Sequence, residues 1–347
     1  MTSTTGIALA PLGALYSAIT RARLMLYQTG ALPVHKIDAP VISVGNLTTG
    51  GTGKTPLVEW IARVVAGEMR RVCVLTRGYG RVNPRVRVVV SDGERILADA
   101  RAGGDEPRLL AERLEGVAAV ISDADRVRAA RWAMENLGSD AFILDDGFQH
   151  LRLARDLNIV TIDATNPWGG GRILPRGRLR EPPGGLARAD LIVLTRADQA
   201  QDLSSLKKQA ERLSKMRPIL TARSRTCGAR SLTMDDEVFD PGSLSKPLAA
   251  FCAIGNPQSF FAHIRNDGHT LNYTRAFPDH HVYTQKDADA IEHEAQIRGA
   301  ELLLTTTKDA VKLRSLRFRL PCYALEVEME FDDERKLLGL IREALLK

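Results

Sequence analysis

Apolar residues along the chain form short runs, and the stretches between these runs carry apolar residues at helical spacing. From about residue 40 to residue 225 the runs predict buried strands, at 41–44, 72–75, 86–90, 117–121, 141–144, 159–162 and 191–194. Helices are predicted between them, most clearly at 56–65 and 125–136. This alternation predicts βαβ units around a largely parallel sheet.

A second alternating region follows, with strands predicted at 249–254, 271–275, 302–305 and 323–327. The polar, turn-rich residues between the two regions predict a connection. We therefore expect an α/β protein with a larger domain over residues 29–223, a linker over residues 224–247 and a second, smaller α/β domain over residues 248–347.

The N-terminal segment, residues 1–28, is apolar from Ile7 to Ile19 and then carries Arg21 and Arg23. The apolar run is too short to span a bilayer. It also lacks the basic start and the cleavage site of a signal peptide. Two interpretations stay open: a helix that lies in a membrane interface, and a helix that packs on the body of the protein.

Composition narrows the classes of partner. The chain has 347 residues with 44% hydrophobic residues, 26% charged residues and a formal net charge of +6, which suits a globular protein with an anionic partner. Only 5% of the residues are aromatic and no basic run is interleaved with them, so we expect no nucleic acid. The four cysteines form no CxxC pair, which argues against zinc and fits a reducing compartment.

The segment Gly50–Thr55, with the sequence GGTGKT, lies between the strand predicted at 41–44 and the next helix. This context is what a phosphate-binding loop requires, because glycines and a helix N-terminus direct backbone N–H groups toward an anion. Lys54 would then reach the β- and γ-phosphates, and Thr55 would bind Mg²⁺. Thr48 stands where the strict pattern has glycine. The alternative is a glycine-rich turn that binds no nucleotide.

Carboxylates at the end of a strand add a possible metal ligand. The strand predicted at 141–144 ends in Asp145 and Asp146, an arrangement that holds Mg²⁺ in many nucleotide-binding proteins. Residues 164–189 then interrupt the alternation with glycines, prolines and five arginines. Long loops of this kind in compact domains are usually functional.

Candidates for acid–base chemistry lie in two loops. Asp105 and Glu106 follow two glycines, and either carboxylate could accept the proton of an attacking hydroxyl. The competing interpretation is a helix start with Asp105 as its cap and Pro107 in the first turn. His280 and His281 are adjacent in the second region and are either solvated loop residues or metal ligands.

The segment Leu194–Asp198 resembles the T-K-x-D base-reading motif of GTPases, with Arg196 in place of lysine. It leaves open a GTPase of the metal-chaperone or targeting type, although no cysteine–histidine cluster exists to carry a metal. A non-catalytic, membrane-associated nucleotide-binding module is a third possibility, and Asp105 as a candidate base argues against it.

Together these segments resemble the tetraacyldisaccharide 4′-kinase family of lipid A biosynthesis, in which a threonine at position 48 is usual. The matching segments occur in order along nearly the whole chain, at 43–56, 75–81, 104–107, 124–126, 144–150, 174–182, 255–257, 277–280 and 307–309.

The resemblance implies a P-loop NTPase-like parallel-sheet domain, a second α/β domain, a short β linker and an active site in the cleft between the domains. It implies ATP and Mg²⁺ as cofactors, and as substrate an acylated glucosamine disaccharide 1-phosphate that is phosphorylated on its 4′-hydroxyl to give lipid IV-A. It also favours a membrane-surface role for the N-terminal helix, at the cytoplasmic face of the bacterial inner membrane. We expect a monomer.

Residue by residue, the resemblance implies that Asp105 is the general base, that His280 assists it and that Lys54 binds phosphate. It assigns nucleotide binding to Thr48, Gly50, Gly51, Thr52, Gly53, Lys54, Thr55 and Gln149. It assigns the metal to Thr55, Asp145, Asp146 and Glu181, without deciding which aspartate contacts Mg²⁺ directly. It assigns substrate or transition-state charge to Arg77, Glu106, Arg126 and Arg180.

Overall fold

The computed structural model describes residues 10–233, 238–239, 246–279 and 281–347. The strands in these ranges are β1 Val41–Asn46, β2 Val72–Thr76, β3 Val88–Ser91, β4 Ala118–Ser122, β5 Ala141–Asp145, β6 Leu157–Asp163, β7 Leu191–Thr195, β8 Ile219–Ser231, β9 Val238–Phe239, β10 Leu248–Cys252, β11 Leu271–Ala276, β12 Leu302–Thr306 and β13 Cys322–Phe331. The α-helices are α1 Ala10–Gln28, α2 Lys54–Gly67, α3 Ala100–Gly103, α4 Asp105–Arg113, α5 Arg126–Leu137, α6 Leu203–Ser214, α7 Pro257–Asn266, α8 Gln285–Ile297, α9 Thr307–Leu313 and α10 Glu334–Leu345.

The chain forms two compact units. The first comprises residues 1–223 and 331–347, and the second comprises residues 224–330. In the first unit the strand order is β8–β7–β6–β1–β5–β2–β4–β3, and all neighbours are parallel except β3, which is an antiparallel edge strand. Because the connecting helices cover both faces, every residue of β1, β2, β5 and β7 is buried.

Helix α2 illustrates how the first unit is assembled. Its buried residues, Leu57, Val58, Ile61, Ala62 and Val65, recur at helical spacing and pack on the sheet. The helix begins at Lys54, directly after β1 and its glycine-rich loop. The loop therefore lies at the carboxyl ends of the strands, where open parallel sheets place their binding sites.

The second unit has its own sheet, in the order β11–β10–β12–β13–β8. The pairs from β11 to β13 are parallel. Apolar residues cover both faces, with Phe251 and Leu303 in one cluster and Ala250 and Leu304 in the other.

The structure confirms the predicted fold class, with small shifts at most strand ends. It differs from the predicted domain limits in two places. Residues 224–231, predicted as part of a linker, continue strand β8. Helix α10, predicted as part of the second domain, belongs to the first unit.

Helix α1 packs through a glycine rather than through its large apolar residues. Gly13 is buried, and a side chain built on it would lie 3.7–3.9 Å from atoms of residues 173–176. Leu15 and Ile19 are each 58% exposed and Met25 is 65% exposed. Helix α1 thus contacts the body of the protein through Gly13, while these large apolar residues stay exposed. In the described part of the chain, no helix has both the length and the apolar content needed to cross a bilayer.

Candidate active site

The loop between β1 and α2 has the backbone of an anion-binding turn. Gly50 and Gly53 have φ values of 112° and 78°, which glycine adopts without steric strain. A side chain built on Gly51 would meet nothing within 4 Å, so the space beside the loop at this point is open. Lys54 and Thr55 start α2, and its first N–H groups face the loop.

Hydrogen bonds among buried polar side chains fix the loop to the sheet. Thr52 Oγ1 lies 2.9 Å from Asn46 Nδ2 and 2.8 Å from Thr161 Oγ1, and Thr195 Oγ1 donates to the Thr52 carbonyl oxygen at 3.0 Å. These partners come from the ends of β1, β6 and β7. The loop is therefore fixed to three neighbouring strands.

The two aspartates at the end of β5 have different surroundings. Asp146 Oδ1 lies 3.5 Å from Lys54 Nζ, and Asp146 Oδ2 accepts a hydrogen bond of 2.6 Å from Arg180 Nη1. Burial alone would raise the pKa of Asp146, but Lys54 and Arg180 together lower it to about 2. Asp146 is thus an anion that holds two cations beside the phosphate loop.

Asp145 is only 2% exposed. Burial, followed by the charges of Glu106 and Asp146, raises its pKa to about 7, against the opposing effect of Lys54 and Arg126. Arg126 is also buried, and this burial lowers its pKa to about 10, while Asp145 and Asp146 act in the opposite direction. A buried carboxylate of this kind is favoured as an anion when a further cation binds to it.

Gln149 and Glu181 form a second layer around the loop. Gln149 Nε2 donates to the Asn46 carbonyl oxygen and to Glu181 Oε1, each at 2.8 Å. Glu181 also pairs with Arg188 at 2.8 Å, and the Arg188 guanidinium lies 4.4 Å from the centre of the Phe148 ring. The Glu181 carboxylate is therefore engaged by protein groups.

Asp105 and Glu106 form the first turn of α4. The cap position is Gly104, with φ 103°, so the interpretation of Asp105 as the cap is wrong. A side chain on Gly104 would lie 3.1 Å from the Tyr79 carbonyl oxygen, which shows how closely the loop after β2 approaches. Glu106 lies near enough to Asp145 to raise its pKa. In the same way, the like charge of Arg77 lowers the pKa of Arg126.

In the second unit, His280 lies outside the described residues, but both of its neighbours are held by helix α9. Lys308 Nζ lies 3.2 Å from Asp279 Oδ1, and Lys312 Nζ donates to the His281 carbonyl oxygen at 3.3 Å. The His281 ring stacks on Phe277 with 4.7 Å between ring centres.

The comparisons with known proteins agree with this geometry. The sequence matches the family described as tetraacyldisaccharide-1-P 4′-kinase over residues 5–346. The chain belongs to this kinase family. Tetraacyldisaccharide 4′-kinase of Geobacter metallireducens is 40% identical over 346 residues, which cover 97% of both chains. The enzyme of Anaeromyxobacter dehalogenans is 42% identical over 304 residues, which cover 86% of this chain and 79% of that one.

A solved structure of a family member has the same fold. LpxK from Aquifex aeolicus, crystallised in complex with ATP, superposes with a TM-score of 0.78 at 31% identity, over 99% of this chain and all of that one. These matches confirm the kinase prediction and favour it over the GTPase alternative.

The residues present fit the ATP and Mg²⁺ of a kinase of this family. Asp145 is a buried carboxylate beside the phosphate loop, and the neighbouring Asp146 Oδ1 is ion-paired with Lys54 of that loop. Among the described residues, no group of three or more His, Cys, Asp or Glu side chains could hold a metal by itself. Mg²⁺ at kinase sites needs only one or two protein oxygens, because phosphates and water complete its shell.

Sequence reasoning did not predict that Arg196 holds the phosphate loop. Arg196 Nη1 donates to the Gly51 carbonyl oxygen at 2.9 Å and pairs with Asp163 Oδ2 at 2.6 Å. The threonine–arginine dipeptide at the end of β7 was the available signal, and it was interpreted only as a base-reading motif. In the structure Arg196 contacts the backbone of the phosphate loop.

Proposed function

We propose that this chain transfers the γ-phosphoryl group of ATP to the 4′-hydroxyl of a tetraacylated glucosamine disaccharide 1-phosphate, giving lipid IV-A. One observation carries the proposal: the Asp146 carboxylate pairs both with Lys54 of the phosphate loop and with Arg180 of the arginine-rich loop, residues 164–189. Phosphoryl transfer needs positioning and positive charge more than covalent participation of the protein, and this arrangement supplies both.

When bound, MgATP supplies the phosphoryl group and a divalent ion that neutralises phosphate charge. The residues of the chain divide the remaining work. Lys54 and the N–H groups of residues 50–55 bind phosphate oxygens, and Thr55 and Asp145 provide oxygens to Mg²⁺. Asp146 keeps Lys54 and Arg180 in place. Glu181 and Gln149 then orient the loop rather than the metal, because their side chains are already engaged.

Asp105 is proposed as the general base, assisted by His280. In the reaction the bond from the γ-phosphorus to the bridging oxygen of ATP breaks, a bond to the 4′-oxygen forms, and the hydroxyl proton passes to Asp105. Glu106 orients the acceptor, while Arg77 and Arg126 neutralise phosphate charge.

The exposed apolar face of α1 is proposed to lie in the membrane that contains the acceptor, at the cytoplasmic surface of the inner membrane. Gly13 places α1 against residues 173–176, just before the segment that carries Arg180. Helix α1 therefore adjoins the loop that reaches the phosphate site through its Gly13 side, while its apolar face stays exposed. A monomer satisfies this arrangement.

The test is conversion of the disaccharide acceptor by the purified protein with MgATP, followed by mass spectrometry of the lipid product. Lys54→Ala is expected to lower kcat at least 100-fold, because a positive charge at the transferring group is lost. Lys36→Ala, at an exposed lysine, is the matched control and keeps parental activity. Equal rates for the two variants would reject the proposal.

The same assay tests the proposed base. Asp105→Ala and His280→Ala are measured singly and together. If the two residues act as one unit, the double variant is little slower than the slower single variant. Losses that multiply would show that the residues act independently.

A further inference from the structure

The segment 178–180 of the arginine-rich loop pairs with the residues that lead into the phosphate loop. Thr49 N donates to the Arg178 carbonyl oxygen at 2.7 Å, and Arg180 N donates to the Leu47 carbonyl oxygen at 2.7 Å. Thr48 and Leu179 form an antiparallel bridge between these bonds. The segment is therefore held in register like a short strand.

This register fixes the direction of the side chains, because successive residues of an extended segment point to opposite sides. Leu179 is 1% exposed and lies in an apolar cluster with Leu47. Arg178 and Arg180 point to the other side. Arg180 reaches Asp146 there, which shows that this side faces the proposed phosphate site.

Two glycines leave room for Arg178. A side chain built on Gly50 would lie 2.5 Å from Arg178 Nη2, so the guanidinium lies directly over the phosphate loop. A side chain built on Gly169 would lie 2.6 Å from Arg178 Cβ. Both glycines also have positive φ values, 112° and 54°. Backbone conformation and the space occupied by Arg178 thus both favour glycine at these two positions.

We propose that Arg178 contacts the γ-phosphoryl group during transfer and stabilises its charge, as an arginine finger supplied by the same chain. This inference rests on the proposed function. Lys54 and Arg180 share the carboxylate of Asp146, so the three side chains together contribute one net positive charge. The Arg178 guanidinium lies over the same loop, beside Gly50.

A guanidinium suits this role because its planar, always-charged N–H groups match several phosphate oxygens at once. Arg178 forms and breaks no covalent bond. The γ-phosphorus exchanges the bridging oxygen of ATP for the acceptor oxygen, and the hydroxyl proton passes to Asp105. Arg178 binds the phosphoryl oxygens strongly only in the transition state, when negative charge spreads over them.

The experiment compares Arg178→Ala and Arg178→Lys with Arg176→Ala, which removes an exposed arginine from the same loop. The first measurement is kcat and the KM for ATP with saturating acceptor. We expect Arg178→Ala to lower kcat about 100-fold or more, with a KM within a few-fold of the parent. Arg178→Lys should recover part of the loss, and Arg176→Ala should match the parent.

The second measurement does not depend on turnover. Calorimetric titration gives the affinity for MgADP alone and for MgADP with aluminium fluoride, which mimics the transferring group. We expect Arg178→Ala to bind MgADP normally and to lose most of the additional affinity that aluminium fluoride confers on the parent.

The outcomes separate the possibilities. Equal behaviour of Arg178→Ala and Arg176→Ala in both measurements would overturn the inference. An equal loss of affinity with and without aluminium fluoride would also overturn it, because it would indicate a ground-state contact. If the parent itself does not convert acceptor, the proposed function fails, and the titration still decides whether Arg178 recognises the transferring group.

Discussion

Several single residues of the site are ionisable groups that the fold buries, and Asp145 is one of them. Its carboxylate is buried at the end of β5, and burial with neighbouring carboxylates raises its pKa to about 7. An unfolded chain would restore the ordinary value of 3.8. At pH values between these two pKa values, Asp145 therefore carries a proton in the folded state that it has lost in the unfolded state.

Asp145→Asn tests this difference through the pH dependence of stability. Since the folded state binds the extra proton, the parent protein loses stability as pH rises toward 7, and the loss stops above that value. Asparagine does not titrate. We expect the variant, relative to the parent, to gain about 2 kcal/mol in free energy of unfolding between pH 5.5 and 8, measured without nucleotide or metal by urea denaturation.

Asp198→Asn serves as control, because it makes the same replacement at an exposed carboxylate. A stability difference between Asp145→Asn and the parent that is constant from pH 5.5 to pH 8 would contradict the assignment of the raised pKa to Asp145.

Thr52 allows a test of how the loop is supported. Thr52→Val keeps the shape of the side chain but leaves Asn46 Nδ2 and Thr161 Oγ1 without their buried partner. We expect a loss of about 1–3 kcal/mol in free energy of unfolding and weaker binding of MgADP. Thr52→Ser keeps the hydroxyl and should stay near the parent. Equal unfolding midpoints and MgADP affinities for the two variants would show that the hydroxyl network does not position the loop.

The sequence predicted the candidate residues that lie in a local motif, and it did not predict others that contact the phosphate loop. Lys54 follows strand β1 and its glycine-rich loop, and Asp145 ends strand β5, so the residue pattern alone was enough to select them as candidates. Arg178 and Arg196 contact the loop only because the chain between residues 164 and 196 returns to it. Local spacing carries no signal for such a return, so these contacts could be found only from the structure.

At the scale of elements, apolar runs predicted the central strands well because both faces of the sheet are covered. Strand β8 is different. Its residues after 223 are mostly polar, and cross-strand ion pairs, Arg225 with Glu328 and Arg230 with Glu326, accompany the strand there. A polar strand stabilised in this way resembles a linker in sequence, which explains why residues 224–231 were not predicted as a strand.

Helix α1 provides a test at the same scale. Leu15 and Ile19 lie four residues apart on one face and are exposed. Replacing both with glutamate puts two charges on the proposed membrane face, so we expect binding to anionic phospholipid vesicles, measured by flotation, to fall at least tenfold. The control is Gln28→Glu, which adds a charge at an exposed polar position near the helix end. Undiminished binding of the double variant would reject the membrane role of this face.

For the whole molecule, the notable feature is that the first unit is discontinuous. The chain leaves it after residue 223 and returns at residue 331. In α10 the apolar residues Leu337, Ile341 and Leu345 are buried, and Phe331 packs edge-on to Trp60 of α2 with 5.0 Å between ring centres. An amphipathic C-terminal helix fits either domain by pattern, so sequence could not assign it.

Ile341→Ala tests the assignment with a probe that the chain itself supplies. All three tryptophans, Trp60, Trp132 and Trp168, lie in the first unit, so tryptophan fluorescence during urea denaturation reports that unit. Removing a fully buried isoleucine side chain is expected to lower the free energy of unfolding seen by fluorescence by about 2–5 kcal/mol. Leu346→Ala, at a position that is 87% exposed, should change it by less than about 0.5 kcal/mol. If α10 stabilised only the second unit, Ile341→Ala would leave the fluorescence transition where Leu346→Ala leaves it, because no tryptophan lies there to report the loss.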